Sequence, residues 1–531
     1  MKRRDFIRVS SATGLAGMMG PDYLLANNGL ATDRFDLHPF IKAHPEAVFI
    51  HPTRVRKITD GKKIHKTAHR LATELFVKTS GNEGFSNTTK ITCKPNWTCN
   101  GGPDMDPKEK LGITTDLHFI EGFLTGVRER GPREFYLREC ACPQNWAANG
   151  WTGMAERNGF DLRDLSSRDF WDLDEGDLIF TDIDGVVFKK VAFMAPMTAK
   201  DTFLINIAKF KAHMMGITGA VKNLQGITGR KFHQYCGGVF DIFKSYDKRY
   251  HPYFQPDYME RVKELHERHV KAGIPRWTAR PEGPGYGGGV FMEQWVQRML
   301  DSYSVTPTGL NMVEAIYGLD GNGFGTGPHK GRGKNYKSNQ VIFGKDAMRV
   351  DIIAHWLAGH EPGNFGLFHI AMERGLSDVL DPADIPVYLW EHGKAKKIRL
   401  ESLTRTPLRT NYLTVNDGDK REEKFHMVDE EFDYSSWKSA GGLSKTTKPK
   451  VRGLGTNAEN KVVMEVTIPE KEDVFVNILN SEGEVVWRME APDLEPGNHE
   501  VVWDGFSQPG IYNVFVKGMH WDAQREMVLY A

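Results

Sequence analysis

No run of about 18 uncharged apolar residues occurs in the 531-residue chain, so no membrane span is expected. Charge of one sign is not in excess either. Lys and Arg total 69 and Asp and Glu total 69, a balance that argues against a dedicated nucleic-acid binder, which carries a basic surplus. Cysteine is scarce: Cys93, Cys99, Cys140, Cys142 and Cys236 make five, an odd number with no C-x-x-C pair and no ferredoxin spacing. Neither G-x-x-x-x-G-K-S/T nor H-E-x-x-H is present, so a Walker-type phosphate loop and the commonest zinc-hydrolase signature are both excluded. What the chain does have is glycine, at 54 residues, with 40% hydrophobic residues. That content suits a folded chain rich in loops.

The first twenty residues, MKRRDFIRVSSATGLAGMMG, read as an address. Arg3 and Arg4 precede Phe6, Ile7 and Arg8, and a weakly apolar stretch of Gly, Ala, Ser and Met follows. This resembles a twin-arginine export signal, with cleavage expected near Ala26. It implies the twin-arginine machinery as a partner and the periplasm or cell surface of a bacterium as the destination. Export of already folded proteins raises the prospect of a cofactor without naming one. For the cysteines, buried thiols are the plainer reading beside two others: a soft metal on Cys140-Ala141-Cys142, or a Cys93–Cys99 disulfide outside the cytoplasm.

Residues 1–30 are therefore assigned to the signal and 31–87 to an extension with few clear elements. Within that extension Lys63–Phe76 is helical, with Ala68, Leu71, Leu75 and Phe76 along one side. From residue 88 the pattern becomes strand and helix in turn. TTKITCKPN is a strand that stops at Pro95, which cannot donate to a ladder. Thr115 and Asp116 cap a helix bearing Leu117, Ile120, Phe123, Leu124 and Val127, and EFYLREC follows as a strand. Strand, helix, strand over this length is a right-handed crossover. The expected fold of 88–434 is thus α/β, a mostly parallel sheet with helices on both faces. DLIFTDIDGVVF, TFLINIAKFK and GLNMVEAIYG are further strand candidates, and Asp346 caps a helix carrying Val350, Ile353, Ala354 and Leu357. In the helix Tyr258–Lys271, His266 and His269 lie one turn apart. They read as part of a solvated face rather than a metal pair. The glycine-dense stretch from Pro281 to Gly333 reads as loops near a ligand.

Composition turns to Ser, Gly, Lys and Pro over 435–456, a linker. Residues 457–531 then alternate apolar and polar residues in short strands, with a hairpin turn at Asn480-Ser481-Glu482-Gly483, which gives a small all-β sandwich. This block resembles the FlgD-like immunoglobulin-type domain at Gly483, Gly497, Trp503-Asp504-Gly505 and Gly510-Ile511-Tyr512. The central block resembles domain of unknown function family 362. The motifs are Lys94-Pro95-Asn96, Thr115-Asp116, the run LINIAKFKAHMMGITGAVKNLQG (Leu204–Gly226), NMVEAIYGLDGNG and MRVDIIAHWLAG. Long insertions follow Gly229 and Gly283.

Lys94 and Asn96 fall just past one strand, and Lys209, Lys211 and His213 end another, where open parallel sheets bind ligands. Alternation in an extended chain would point Lys209, Lys211 and His213 the same way. Thr218, Lys222 and Asn223 add donors. Converging cations with a histidine favour an anion, a carboxylate or a phosphate. Lys94, Lys209, Lys211 and Lys222 would hold it with Asn96, Thr218 and Asn223, and His213 would move protons. Asp351 or Glu314 would act as base or orient the ligand, with Glu139 nearby and all three acids ionised. Asp351 and His355, four residues apart on one helix, could instead pair with each other. Two functions stand from these residues: an exported enzyme acting on an anionic small molecule, with cofactor and metal unknown, or a non-catalytic binding or scaffolding protein of the periplasm or cell surface. They part on whether Lys94 and Lys209 cluster with His213.

Overall fold

A computed structural model describes residues 34–79, 83–97, 112–139, 146–163, 165, 172–229, 249, 251–275, 277, 289–307, 309–412, 425–439, 450–456, 461–468, 471–505, 508–518 and 522–529. The twin-arginine segment, Cys99, Cys140, Cys142, Cys236, the starts of both insertions and the first glycine run lie outside the described residues. Cys93 is buried and free. The chain divides into two compact units, Met1–Ala371 with Leu376–Phe432, and Met372–Gly375 with Asp433–Ala531.

The first unit is built on one large sheet. Its strands are β1 (Val48–Pro52), β2 (Lys90–Pro95), β3 (Phe135–Arg138), β4 (Asp161–Arg163), β5 (Thr202–His213), β6 (Gly216–Ile217), β7 (Leu310–Leu319), β8 (Asn335–Gly344), β9 (Val387–Glu391) and β10 (Lys394–Ile398). They lie in the order β10-β9-β1-β8-β7-β5-β2-β3-β4, with β6 paired to β5. The central run β7-β5-β2-β3-β4 is parallel, as is the β9–β1 pair. The sheet is nonetheless mixed, because β8 enters antiparallel to both β7 and β1. The segment 31–87 is more than an extension: it supplies β1, and Arg34–Leu37 with Phe76–Thr79 and Phe85–Ser86 form a separate small sheet. The strand from Leu178 to Asp182 also stands apart, pairing among the described residues only with Lys190–Met194.

Helices α1 (Gly61–Leu75) and α2 (Leu117–Arg128) cover one face of the sheet. Asp116 caps α2 by accepting hydrogen bonds from the His118 and Phe119 amides at 2.8 and 3.1 Å, which satisfies two donors of its first turn. Gly122 and Gly126 let the two helices approach closely. A Cβ on either would come within 2.2 or 2.6 Å of the His65 or His69 carbonyl oxygen. Leu71, Leu75, Phe119 and Phe123 bury themselves there against Cys93, Ile205, Ile207 and Met312 from the sheet.

On the other face lies the short α3 (Ala220–Asn223); further helices are Trp151–Asn158, α4 (Tyr258–Lys271), α5 (Gly289–Ser304), α6 (Ala347–Leu357) and α7 (Gly366–Glu373). β5 is buried along all but its first residue, as a central strand covered on both faces must be. From β2 the chain runs outward through α2 to β3 and β4, and returns as β5 on the opposite flank of β2. The carboxyl ends of β2 and β5 therefore flank a topological switch point, the place where open sheets of this kind leave a crevice.

Among its described residues the second unit is all-β apart from the helix Tyr434–Ser439 and the end of α7 at Met372 and Glu373. Its strands are β11 (Lys450–Thr456), β12 (Val462–Ile468), β13 (Glu472–Leu479), β14 (Val485–Leu494), β15 (Gly497–Trp503), β16 (Gly510–Lys517) and β17 (Asp522–Leu529). They form two antiparallel sheets, β11-β12-β15 and β14-β13-β16-β17, around a core of Val466, Val476, Trp503, Tyr512 and Val514. The stretch 435–456, expected as a linker, holds part of that helix and the whole of β11, whose backbone pairs with β12.

Candidate functional site

Lys94 lies on the α3 face of the sheet, in register with Asn206 of the neighbouring β5. Its ammonium donates to the Pro95 carbonyl at 2.6 Å, to Glu139 Oε2 at 2.5 Å and to Asn223 Oδ1 at 3.0 Å. Both members of the Lys94–Glu139 pair are 1% exposed. A buried ion pair survives only where such additional acceptors complete it. Asn223 in turn donates to Asn206 Oδ1 at 2.8 Å, and Asn206 donates to the Ala220 carbonyl and to Asn311. Asn96 donates to Asn223 Oδ1 at 2.9 Å, while its own Oδ1 is buried without a partner. Lys94, Asn96, Asn223 and Glu139 are thus brought together in one hydrogen-bonded network.

Lys209 is not part of it. Three residues beyond Asn206 on an extended strand, it projects from the opposite face, where its ammonium meets Glu314 Oε2 at 2.7 Å, and both side chains are buried. Glu314 also accepts the Asp116 and Ile316 amides. Burial, reinforced by Glu314, raises the Asp116 carboxyl above the usual range. The expectation that Lys94 and Lys209 converge is therefore corrected: the sheet lies between them, each is matched by its own carboxylate, and the anion site expected from all four lysines, on which the enzyme reading stood, is not formed.

Beyond Lys209 the ladder between β5 and β7 is irregular. Lys209 pairs with Glu314 but Lys211 pairs with Leu319, so the register shifts between them. The extra residues lie on β7, which advances five positions while β5 advances two. Lys211 donates to the Ile113 carbonyl at 2.5 Å and the Gly323 carbonyl at 3.2 Å. His213 is 1% exposed. Its ring lies edge-on to Trp295 and Phe324, with centroids 5.5 and 5.3 Å away. Lys222 stands 5.8 Å from the Trp295 ring and Lys211 the same distance from Phe324. Burial, then Lys222 and Lys211, hold the imidazole well below its ordinary pKa, so it is neutral at pH 7. Its Nδ1 accepts the Met215 amide at 3.4 Å, which assigns the proton to Nε2. Nε2 is buried and has no partner among the described residues, and neither has the Thr218 hydroxyl nearby in the chain, whose own amide bonds the Lys211 carbonyl.

Asp351 is engaged elsewhere. Its carboxylate accepts the Ala220 amide and, at 3.0 Å, the Val221 amide, capping α3 and so placing Lys222 and Asn223. Burial pushes this carboxyl up to about 7, which corrects the expectation of an acid kept ionised by surrounding cations. His355 pairs with the backbone of Asp351 rather than its carboxylate: Nδ1 donates to the carbonyl at 2.7 Å, and Nε2 accepts the Ile217 amide at 3.1 Å. His266 and His269 are buried, not solvated. His269 Nδ1 lies 2.8 Å from Glu293 Oε2, which also accepts the Trp277 indole. Among the described residues no three His, Cys, Asp or Glu side chains converge as a metal site.

The sequence reading missed Trp295, Phe324 and Gln225, the last accepting from the Trp295 indole at 3.0 Å and from Arg298 at 3.3 Å. A lone Phe inside G-N-G-F-G was the one available signal, since an aromatic among glycines marks a loop that packs on something.

An α/β unit with a polar switch point and a separate β-sandwich define a two-part protein of unassigned chemistry. Residues 91–355 match the domain of unknown function DUF362, and residues 450–518 match the FlgD Ig-like domain. The chain carries both domains. No curated protein matches it. Among the described residues no helix is long and apolar enough to cross a membrane.

Proposed function

We propose that the protein is exported and binds an anionic small molecule, a carboxylate or a phosphate, at the carboxyl end of β5. Lys211 and Lys222 supply the charge, and His213 Nε2 and the Thr218 hydroxyl supply uncharged hydrogen bonds. The network of Lys94, Asn96 and Asn223 and the pair of Lys209 with Glu314 brace the two strands that carry the site. The observation behind this reading is the buried, unpartnered Nε2–H of His213 beside two lysines. An unmet buried donor costs about 1–3 kcal/mol, and an anion would remove that cost.

Inorganic phosphate and acetate are the probes, with melting temperature and calorimetric titration as readouts. One of them raises the melting temperature of the wild-type chain in the millimolar range. His213→Phe removes the donor while keeping a ring, and Lys222→Met removes a charge. Each should weaken binding about tenfold, or about 1.4 kcal/mol, whereas Lys471→Met in the β-sandwich changes nothing. Absence of binding by both anions, or full binding by His213→Phe, overturns the reading.

If the bound anion reacts, the Nε2–H of His213 serves it as a hydrogen-bond donor only, because that nitrogen already holds the proton of a neutral ring and Nδ1 faces the Met215 amide. Asp351 and Glu314 would act through what they hold, α3 and Lys209. Their engagement favours the second reading, binding without catalysis. Export rests on Arg3 and Arg4. Residues 1–40 fused to a folded reporter should carry it out of the cytoplasm, and Arg3→Lys with Arg4→Lys should stop it. Continued export of the double variant would show that the motif is not read.

A further inference from the structure

The turn between β7 and β8 is one compact glycine-rich loop, Asp320 to Lys334. Asp320 is fully buried at its base. One carboxylate oxygen accepts the Lys334 amide at 2.6 Å and the other meets His329 Nε2 at 2.7 Å, while the Asp320 amide donates to the Lys334 carbonyl at 3.2 Å. These bonds close the loop on itself. Inside it Gly333 donates to the Gly325 carbonyl at 2.7 Å and Asn322 to the Thr326 carbonyl at 2.9 Å.

The tip of the loop reaches the site described above. The Gly323 carbonyl accepts from Lys211, and the next residue, Phe324, presents its ring to His213. Gly323 has φ +87°, and a Cβ there would lie 2.8 Å from His213 Cδ2, so the backbone itself forms this wall. The loop is also tied to the histidine's own strand. Gly321 bridges to Thr410, whose hydroxyl donates to the His213 carbonyl at 2.5 Å.

We infer that Asp320 is a positioning residue for the His213 site: by pinning both ends of the loop and His329, it sets where the Gly323 carbonyl and the Phe324 ring stand against Lys211 and His213. Its effect on ligand binding rests on the anion site proposed above; its effect on the His213 environment does not. A buried carboxylate that holds two donors is poorly replaced by a methyl group, whereas an amide keeps one acceptor oxygen for the Lys334 amide.

The test follows the His213 ring protons by NMR, which feel the ring currents of Phe324 and Trp295, together with calorimetric binding of inorganic phosphate. Asp320→Ala should shift the His213 signals and weaken phosphate binding about tenfold. Asp320→Asn should restore most of both, and a loss of stability alone would move neither in a folded sample. His329→Ala, which removes one tie at a half-exposed position, should shift the signals less and in the same direction, and it stands in if Asp320→Ala does not fold. Unchanged His213 signals in Asp320→Ala, or in His329→Ala where Asp320→Ala does not fold, overturn the inference. If wild-type protein binds no phosphate or acetate, the anion reading falls, while the ring signals still decide the role of Asp320.

Discussion

His355 and His360 each commit both ring nitrogens to the backbone. His355 donates to the Asp351 carbonyl and accepts from Ile217; His360 donates to the Leu408 carbonyl at 2.7 Å and accepts the Val428 amide at 3.0 Å. Protonation would turn each accepting nitrogen into a donor facing an N–H. Burial holds the His355 imidazole down to about 4 and that of His360 to about 3. The unfolded chain takes up these protons near pH 6.5 and the folded chain does not. Stability from these residues is therefore fully present above about pH 6.5 and is lost as pH falls toward 4. Each contributes a slope of about 1.4 kcal/mol per pH unit inside that window. Urea unfolding of the α/β unit between pH 7 and 4.5 should show this loss, and His360→Asn should flatten the slope by about one proton. A slope that His360→Asn leaves unchanged would refute it, since the raised carboxyl of Asp351 opposes part of the wild-type slope. At this scale short motifs at strand ends marked Lys94, Asn96, Asn223 and Glu139, which hydrogen bonds gather into one network. The sequence could not reveal their partners. Lys94 meets Glu139 and Lys209 meets Glu314 across distant chain segments, and only the faces of an assembled sheet determine those pairings.

Elements whose cause is local were legible. α1, α2, α4 and α6 follow from apolar spacing and from caps such as Asp116 and Asp346, whose carboxylates accept the next free amides. The strands β2, β5 and β7 follow from their apolar runs. Elements whose placement depends on a remote neighbour were not. The segment Val48–Pro52 carries no mark that it will sit between β8 and β9 in the main sheet. Nor does Leu178–Asp182 announce that it stays out of that sheet. The register shift opposite Lys209 was equally illegible, because the extra residues that cause it lie on β7. Likewise the solvated face expected of α4 fails because Glu293 of α5 reaches His269, a contact that helical spacing cannot foretell.

At the scale of the whole molecule, the strands β11–β17 pair only with one another among the described residues, and their apolar side chains form a core of their own. Trp503 anchors that core: it is 1% exposed, with its ring 5.0 Å from that of Tyr512. The Tyr512 hydroxyl donates to the Gln508 carbonyl at 2.7 Å, so the ring it presents to Trp503 is fixed at its far end. A core that closes within one unit can melt by itself. Trp503→Ala removes a large buried aromatic at a cost of about 3–5 kcal/mol, comparable to the whole stability of a domain this small. Calorimetry of the full-length protein should show two transitions. In Trp503→Ala the one belonging to the β-sandwich should drop or vanish while the other stays in place, and any phosphate-induced shift should remain with the latter. A single transition that moves as a whole with this substitution would mean that the two units share their stability, and that the Ig-like part is not an independent module.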